Sequence, residues 1–162
     1  MKEFIPNIIT GVCTLGGTLG GVLLTQKWSR QTQKDLLEQQ MIRDESKEKR
    51  NELKETLEVY NRVLKVNGEY LFHINNGGPL LEFNADVYNK EIRPIIYEKY
   101  HLLDTDVALL VADIDDRIKK CVYYEEFTGE DNLHLNSEYD RLIKKIKGHI
   151  ENFNRQYKKV DE

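Results

Sequence analysis

The chain has 162 residues and a formal net charge of −4 at pH 7, with 40% hydrophobic and 32% charged residues. These proportions exclude a disordered chain, and three prolines among long Glu, Lys, Leu and Ile runs indicate an all-α fold. The two cysteines, Cys13 and Cys121, lie in segments too dissimilar to pair, which fits a reducing compartment.

The first element is an apolar segment, because residues 4–26 carry no charged side chain. A helix of about 20 such residues matches the hydrocarbon thickness of a bilayer. Only Lys2 supplies a basic side chain before it and no small-residue cleavage site follows, so we predict an uncleaved transmembrane helix within residues 1–27. A secretion signal and a buried core helix are the alternatives.

The charges that flank this segment predict its orientation in the cell membrane. Lys27 and Arg30 follow it, whereas Lys2 before it is partly countered by Glu3. Positive side chains are retained in the cytoplasm, so we expect the N-terminus outside and the C-terminal domain inside. Trp28, with Lys27 and Arg30, is the expected anchor at the interface between lipid and water.

Glycines within the apolar segment form two overlapping G-x-x-x-G spacings, Gly16 with Gly20 and Gly17 with Gly21. Small residues four apart let two membrane helices approach closely, so this ridge predicts self-association into a homo-oligomer. The alternative is that glycine is simply common in such helices. No phosphate-binding glycine motif is present.

Residues 28–52 form a charged segment that predicts a juxtamembrane stalk helix, with a flexible linker as the alternative. Residues 43–52 include no apolar side chain, and a helix that is polar all round is solvated. Glu45 and Lys49 are a favourable i,i+4 pair.

Residues 53–162 are predicted to form an antiparallel bundle of three or four helices. The first helix should run to about Ile74, before the break at 75–79. Pro94 indicates a kink near Arg93 or a new helix that begins there. The expected apolar stripes of the first helix comprise Leu53, Leu57, Tyr60, Leu64 and Leu71, with Val59, Val63, Val66 and Tyr70 beside them.

Two further helices follow. Asp104 or Thr105 is expected to cap the first of them. Residues 128–132 are predicted to form the loop that follows it. Ser137 with Asp140 is expected to cap the last helix. A coiled-coil dimer strand is the alternative for the last helix. The predicted seams are Val107, Val111, Ile114, Ile118 and Cys121, and Tyr139, Ile143, Ile146, Ile150, Phe153, Tyr157 and Val160.

No catalytic, cofactor-binding or metal-binding set is predicted. Asp113, Asp115 and Asp116 each precede a basic residue by four positions, which predicts a solvated, salt-bridged face rather than a metal site. The four histidines look scattered, so we expect no zinc site and no enzyme.

Basic residues dominate the last helix, whereas acidic residues dominate the middle of the chain. The aromatic side chains of that helix belong to its apolar seam, so nucleic acid is not an expected partner. We expect the basic face to dock onto the acidic middle of the chain or onto anionic lipid.

The segment Gly17–Gln26, which continues into a Glu/Lys/Arg/Gln-rich helix, resembles a loose class of small bacterial proteins. That resemblance implies one N-terminal transmembrane helix and a cytoplasmic helical, coiled-coil-like bundle, and it carries over no functional residue. The expected function is a membrane-tethered, non-enzymatic protein-interaction module. The alternative is a small oligomerising membrane effector of a phage-exclusion or defence system.

Overall fold

The computed structural model describes residues 4–75, 77 and 81–158, without the side chains of residues 4–25, 27, 157 and 158. The described chain is almost entirely helical, which confirms the all-α prediction. Its elements are α1 (Phe4–Glu69), β1 (His73–Ile74), β2 (Glu82–Phe83), α2 (Ala85–Val87), a π-helical turn (Tyr88–Ile92), α3 (Arg93–Glu98), a 3-10 turn (Tyr100–Leu102), α4 (Thr105–Tyr123) and α5 (Gly129–Lys158).

Two compact units divide the chain, Met1–Lys49 and Arg50–Glu162. Described by itself, the first unit is helical from Phe4 onward. The predicted i,i+4 ion pair forms in this unit, with 2.7 Å between Lys49 Nζ and Glu45 Oε1. Residues 28–52 are helical throughout.

Within the part of the chain that the structure describes, no helix is both long enough and apolar enough to cross a membrane. The predicted self-association residues, Gly16, Gly17, Gly20 and Gly21, and the anchor residue Lys27 lie outside the described side chains. The transmembrane helix and its glycine ridge therefore stay predictions.

The second unit is a helical bundle with one apolar core, as predicted. Tyr60 and Val63 of α1 are almost completely buried in this core, together with Ile92 before α3. The remaining core residues from the later helices include Val107, Val111, Ile114, Leu135, Tyr139, Leu142 and Ile146. This packing favours the bundle over a coiled-coil dimer strand for the last helix.

α1 ends at Glu69 and not near Ile74, so the predicted boundary is wrong. The chain becomes extended after Tyr70 because His73 and Ile74 pair with β2 in an antiparallel hairpin, with His73 opposite Phe83. Phe72 is buried against the ring of Tyr139, with 4.5 Å between the ring centroids.

The end of α1 at Glu69 also explains why some predicted core positions are wrong. Leu71 is 80% exposed and Tyr70 is 41% exposed, because the helical stripe that would have buried them has ended. Leu53 is also exposed, at 36%, near the start of the second unit.

Helical structure is continuous from Ala85 to Glu98, and an α-helix begins at Arg93, as one of the two predicted alternatives states. Pro94 lies in the first turn of α3, where its missing N–H costs no helical hydrogen bond. The helix before it is a π-helical turn, closed by the backbone N–H of Arg93 donating to the carbonyl of Tyr88.

The seam of α4 is confirmed, including the burial of Cys121 as a small core residue. The predicted start of α5 is wrong, because the helix begins at Gly129 and residues 129–132 of the predicted loop belong to it. The cause is a cap: Thr128 Oγ1 accepts from the backbone N–H of Asp131, and the Asp131 carboxylate accepts from that of Thr128.

Candidate functional site

Asp115 is the acidic side chain around which the most conspicuous polar cluster of the bundle forms. Its side chain is only 3% exposed, yet it is surrounded by hydrogen-bond donors. The Tyr88 hydroxyl donates at 3.2 Å, the Arg93 Nε–H at 2.8 Å and the Tyr97 hydroxyl at 2.7 Å. The carboxylate is therefore held by three side chains from another part of the chain.

The π-helical turn explains how these donors reach one carboxylate. A π turn closes between residues five apart, which sets Tyr88 beneath Arg93, and Tyr97 follows one α-helical turn later. The Arg93 guanidinium also lies over the ring of Tyr97, 4.6 Å from its centroid.

The electrostatics of this cluster are those of a stable ion pair. Burial and the neighbouring Asp115 carboxylate raise the pKa of the Tyr88 and Tyr97 phenols above the ordinary value. The hydrogen bond to Asp115 raises the pKa of Arg93. Both phenols stay protonated and donate, so the arrangement positions side chains and offers no poised general acid or base.

One cleft of about 550 Å³ lies near the hairpin, and another of about 460 Å³, with a largely apolar lining, lies beside Asp115. Arg93 and Lys119 lie at the second cleft, and Arg93 remains 41% exposed despite its bond to Asp115. The cleft is lined by Asn89, Arg93, Asp115, Ile118, Lys119, Val122 and Tyr123.

An exposed aromatic patch adjoins this cleft at the C-terminal end of α4. We define the aromatic patch as Val122, Tyr123, Tyr124 and Phe127, which are 63%, 81%, 73% and 38% exposed. The rings of Tyr123 and Tyr124 meet edge to face, with their centroids 5.1 Å apart. Val122 and Tyr123 belong to both the patch and the cleft lining, so the two form one surface.

The histidines are less scattered than the sequence suggested. His134 Nε2 lies 2.8 Å from the Asp113 carboxylate, and with Glu138 these side chains bring three ligand-type atoms within 4.8 Å of one another. His134 and Glu138 are four residues apart on α5, a spacing that the sequence displays and that our prediction of no zinc site overlooked.

Two other histidines each bridge different groups with their two ring nitrogens. His149 Nδ1 lies 3.3 Å from Asp104 and its Nε2 lies 2.9 Å from Asp106. His73 Nδ1 lies 2.7 Å from the Asn136 side-chain oxygen, and its Nε2 lies 3.1 Å from Asp140. These contacts join α5 to β1 and to the start of α4.

The predicted i,i+4 pairs of the α4 aspartates do not form. Asp115 turns inward to Arg93, and Arg117 reaches across to Asp131 of α5 at 3.0 Å. Asp116 pairs with Lys119, only three residues later, at 3.4 Å. The solvated-face prediction therefore holds for Asp116 and is wrong for Asp115.

The other predicted site residues stand as follows. Trp28 is 75% exposed and Arg30 is exposed, within the first unit. The expected docking of the basic helix onto the acidic middle is supported by Lys145, whose Nζ lies 3.0 Å from Asp106.

Comparison of the chain with models of known protein families, with curated proteins and with solved structures found no match.

Proposed function

We propose that the chain is a non-enzymatic protein-interaction module that acts at the cytoplasmic face of a membrane. The observation that carries the proposal is the exposed aromatic patch beside the Arg93 cleft. Tyrosine and arginine are the residue types that dominate binding energy at protein interfaces, and contiguous exposed apolar surface marks such sites.

The chemistry of the surface defines the partner that it fits. The cleft can take one or two apolar side chains, and Tyr123 and Tyr124 offer rigid contact area at low entropic cost. Arg93 and Lys119 lie at the same cleft and favour a carboxylate. The expected partner is a protein segment that presents an apolar side chain next to an acidic one.

A supporting argument for a non-enzymatic role comes from the hydrogen bonding of the buried carboxylate. Asp115 has three donors, and a saturated carboxylate is poorly suited to take a proton from a substrate. Its bonds fix Arg93 and Tyr97 in position beside the cleft.

The tether is proposed from the sequence alone. Residues 4–26 carry no charge, and Lys27 and Arg30 follow them, so a bilayer span with the bundle on the cytoplasmic side accounts for both features.

Site-specific photo-crosslinking in the full-length chain tests the interaction surface. A photoreactive residue at Tyr123 should give one discrete adduct, which weakens in the Tyr124→Ala background. The matched control is Lys65, whose side chain is 74% exposed and which lies outside the patch. The same adducts at both positions, or none at Tyr123, would refute a specific surface.

Alkaline-carbonate fractionation tests the tether separately. The full-length protein should stay in the membrane pellet, and a Leu15→Lys/Leu19→Lys variant should be extracted, because each central charge costs about 2.5–3.5 kcal/mol on insertion. Wild-type protein in the supernatant would refute the tether. Loss of function in a Gly17→Ile/Gly21→Ile variant that stays in the pellet would instead favour the oligomerising effector.

A further inference from the structure

We infer that Asp113, His134 and Glu138 form a binding site for a divalent transition-metal ion, with Zn²⁺ the best match. The three side chains come from two packed helices, α4 and α5, and their ligand-type atoms all lie within 4.8 Å of one another. The inference is independent of the aromatic patch and its partner.

The spacing of the atoms is close to what a zinc ion requires. Zinc bonds of about 2.0–2.2 Å place the ligand atoms of a tetrahedral site about 3.3 Å apart. His134 Nε2 and the Asp113 oxygen are 2.8 Å apart, so this pair must separate by about 0.5 Å to admit an ion at that spacing. The separations to Glu138 are at most 4.8 Å.

The chemistry of the pair favours replacement of a proton by a metal. At 2.8 Å from a carboxylate oxygen, Nε2 of His134 carries the proton that joins the two groups. A Zn²⁺ ion takes the place of this proton, which moves to Nδ1 of the neutral ring, and bonds both Nε2 and the carboxylate. Imidazole nitrogen with two carboxylates selects zinc over the oxygen-seeking Mg²⁺ and Ca²⁺.

Arg141 holds the Glu138 carboxylate in place close to the other two ligands. The Glu138 side chain is only 11% exposed, and Arg141 Nη1 donates to both of its oxygens, at 2.6 and 2.7 Å. Each carboxylate oxygen has a second lone pair, so Arg141 can remain as a neighbour that fixes the ligand while one oxygen turns to the ion. Asp113 is 51% exposed, which leaves solvent access for a water as the fourth ligand.

The other histidines lack this convergence. The two nitrogens of His149 face different aspartates, and those of His73 face Asn136 and Asp140. In each case the bonding groups lie on opposite sides of the ring, so they do not meet at one ion. His73, which is 33% exposed against 30% for His134, is therefore a matched control.

The test is a zinc titration of the purified full-length chain in detergent, in competition with a chromophoric chelator. Wild-type protein should bind one equivalent, and its Co²⁺ form should show the strong visible absorption of a four-coordinate ion. His134→Gln, which keeps an amide donor for Asp113, should lose more than about tenfold in zinc affinity, whereas His73→Gln should not change it.

Asp113→Asn changes an exposed ligand with little effect on the core, and it should show the same loss of zinc affinity. This second variant keeps the inference testable if the His134 variant misfolds. Thermal unfolding of each apoprotein verifies the fold. No zinc binding by wild-type protein at micromolar concentrations would overturn the inference. Equal losses in the His73 and His134 variants would also overturn it, as would unchanged affinity in the Asp113 variant.

Discussion

Replacing Asp115 by alanine should destabilise the bundle more than any other single change to a charged side chain of α4. The Tyr88 hydroxyl is fully buried, and losing its acceptor leaves it without a partner. A hydrogen bond to a buried charged group is worth about 1.5–3 kcal/mol. Arg93 is 41% exposed and regains water, so its bond adds less than about 1 kcal/mol.

Together these contributions predict a loss of about 3 kcal/mol for Asp115→Ala, or a fall in Tm of about 10 °C for a unit of this size. Thermal unfolding followed by the near-ultraviolet circular dichroism of the buried tyrosines measures it, because the only tryptophan, Trp28, lies in the first unit. Asp116→Ala on the same helix is the control, since its side chain is 67% exposed. Equal effects of the two substitutions would refute the view that burial and triple bonding determine the stability.

Two further predictions concern the ends of α4 and α5. Burial acts to raise the pKa of Asp106, but bonds from His149 and Lys145 outweigh it and hold the pKa below the ordinary value of 3.8. A depressed folded pKa gives stability that is present above the unfolded value and lost as pH falls through the folded one. Asp106→Asn should thus be less stable than wild type at pH 5–7, and in acid unfolding the difference should shrink as the pH falls below the ordinary value of 3.8. A difference that stays constant with pH would contradict this. Thr128→Ala removes the cap partner of Asp131 and should lower the free energy of unfolding by about 1 kcal/mol, as measured by chemical denaturation. Thr128→Ser keeps the hydroxyl and is the control. An equal loss in that variant would show that the hydroxyl is not the cause.

Local patterns predicted the helices whose contacts repeat along the chain. The α4 seam from Val107 to Cys121 and the inner face of α5 at Tyr139 and Ile146 follow from helical periodicity alone. The end of α1 did not follow, because the helical pattern continues through Leu71 while the hairpin requires extended chain there.

The candidate sites depended on contacts between distant segments. Asp115 and Asp116 each precede a basic residue by four positions, and helical periodicity directs Asp115 away from Asp116. The partners of Asp115 could not be predicted, because the π turn brings Tyr88 and Arg93 to it. His134 and Glu138 were visible as an i,i+4 pair, but Asp113 joins them only once α4 packs on α5.

The π-helical turn at Tyr88–Ile92 determines which residues of its segment share a face. In an ordinary α-helix, residues five apart lie about 140° from each other around the axis, so Tyr88 and Arg93 would point in different directions. The π turn holds one residue more than the α-helical turn it replaces, and it therefore sets these two residues above each other. A segment of the same length that relaxed to a regular α-helix would keep every donor and still lose their convergence on the buried carboxylate.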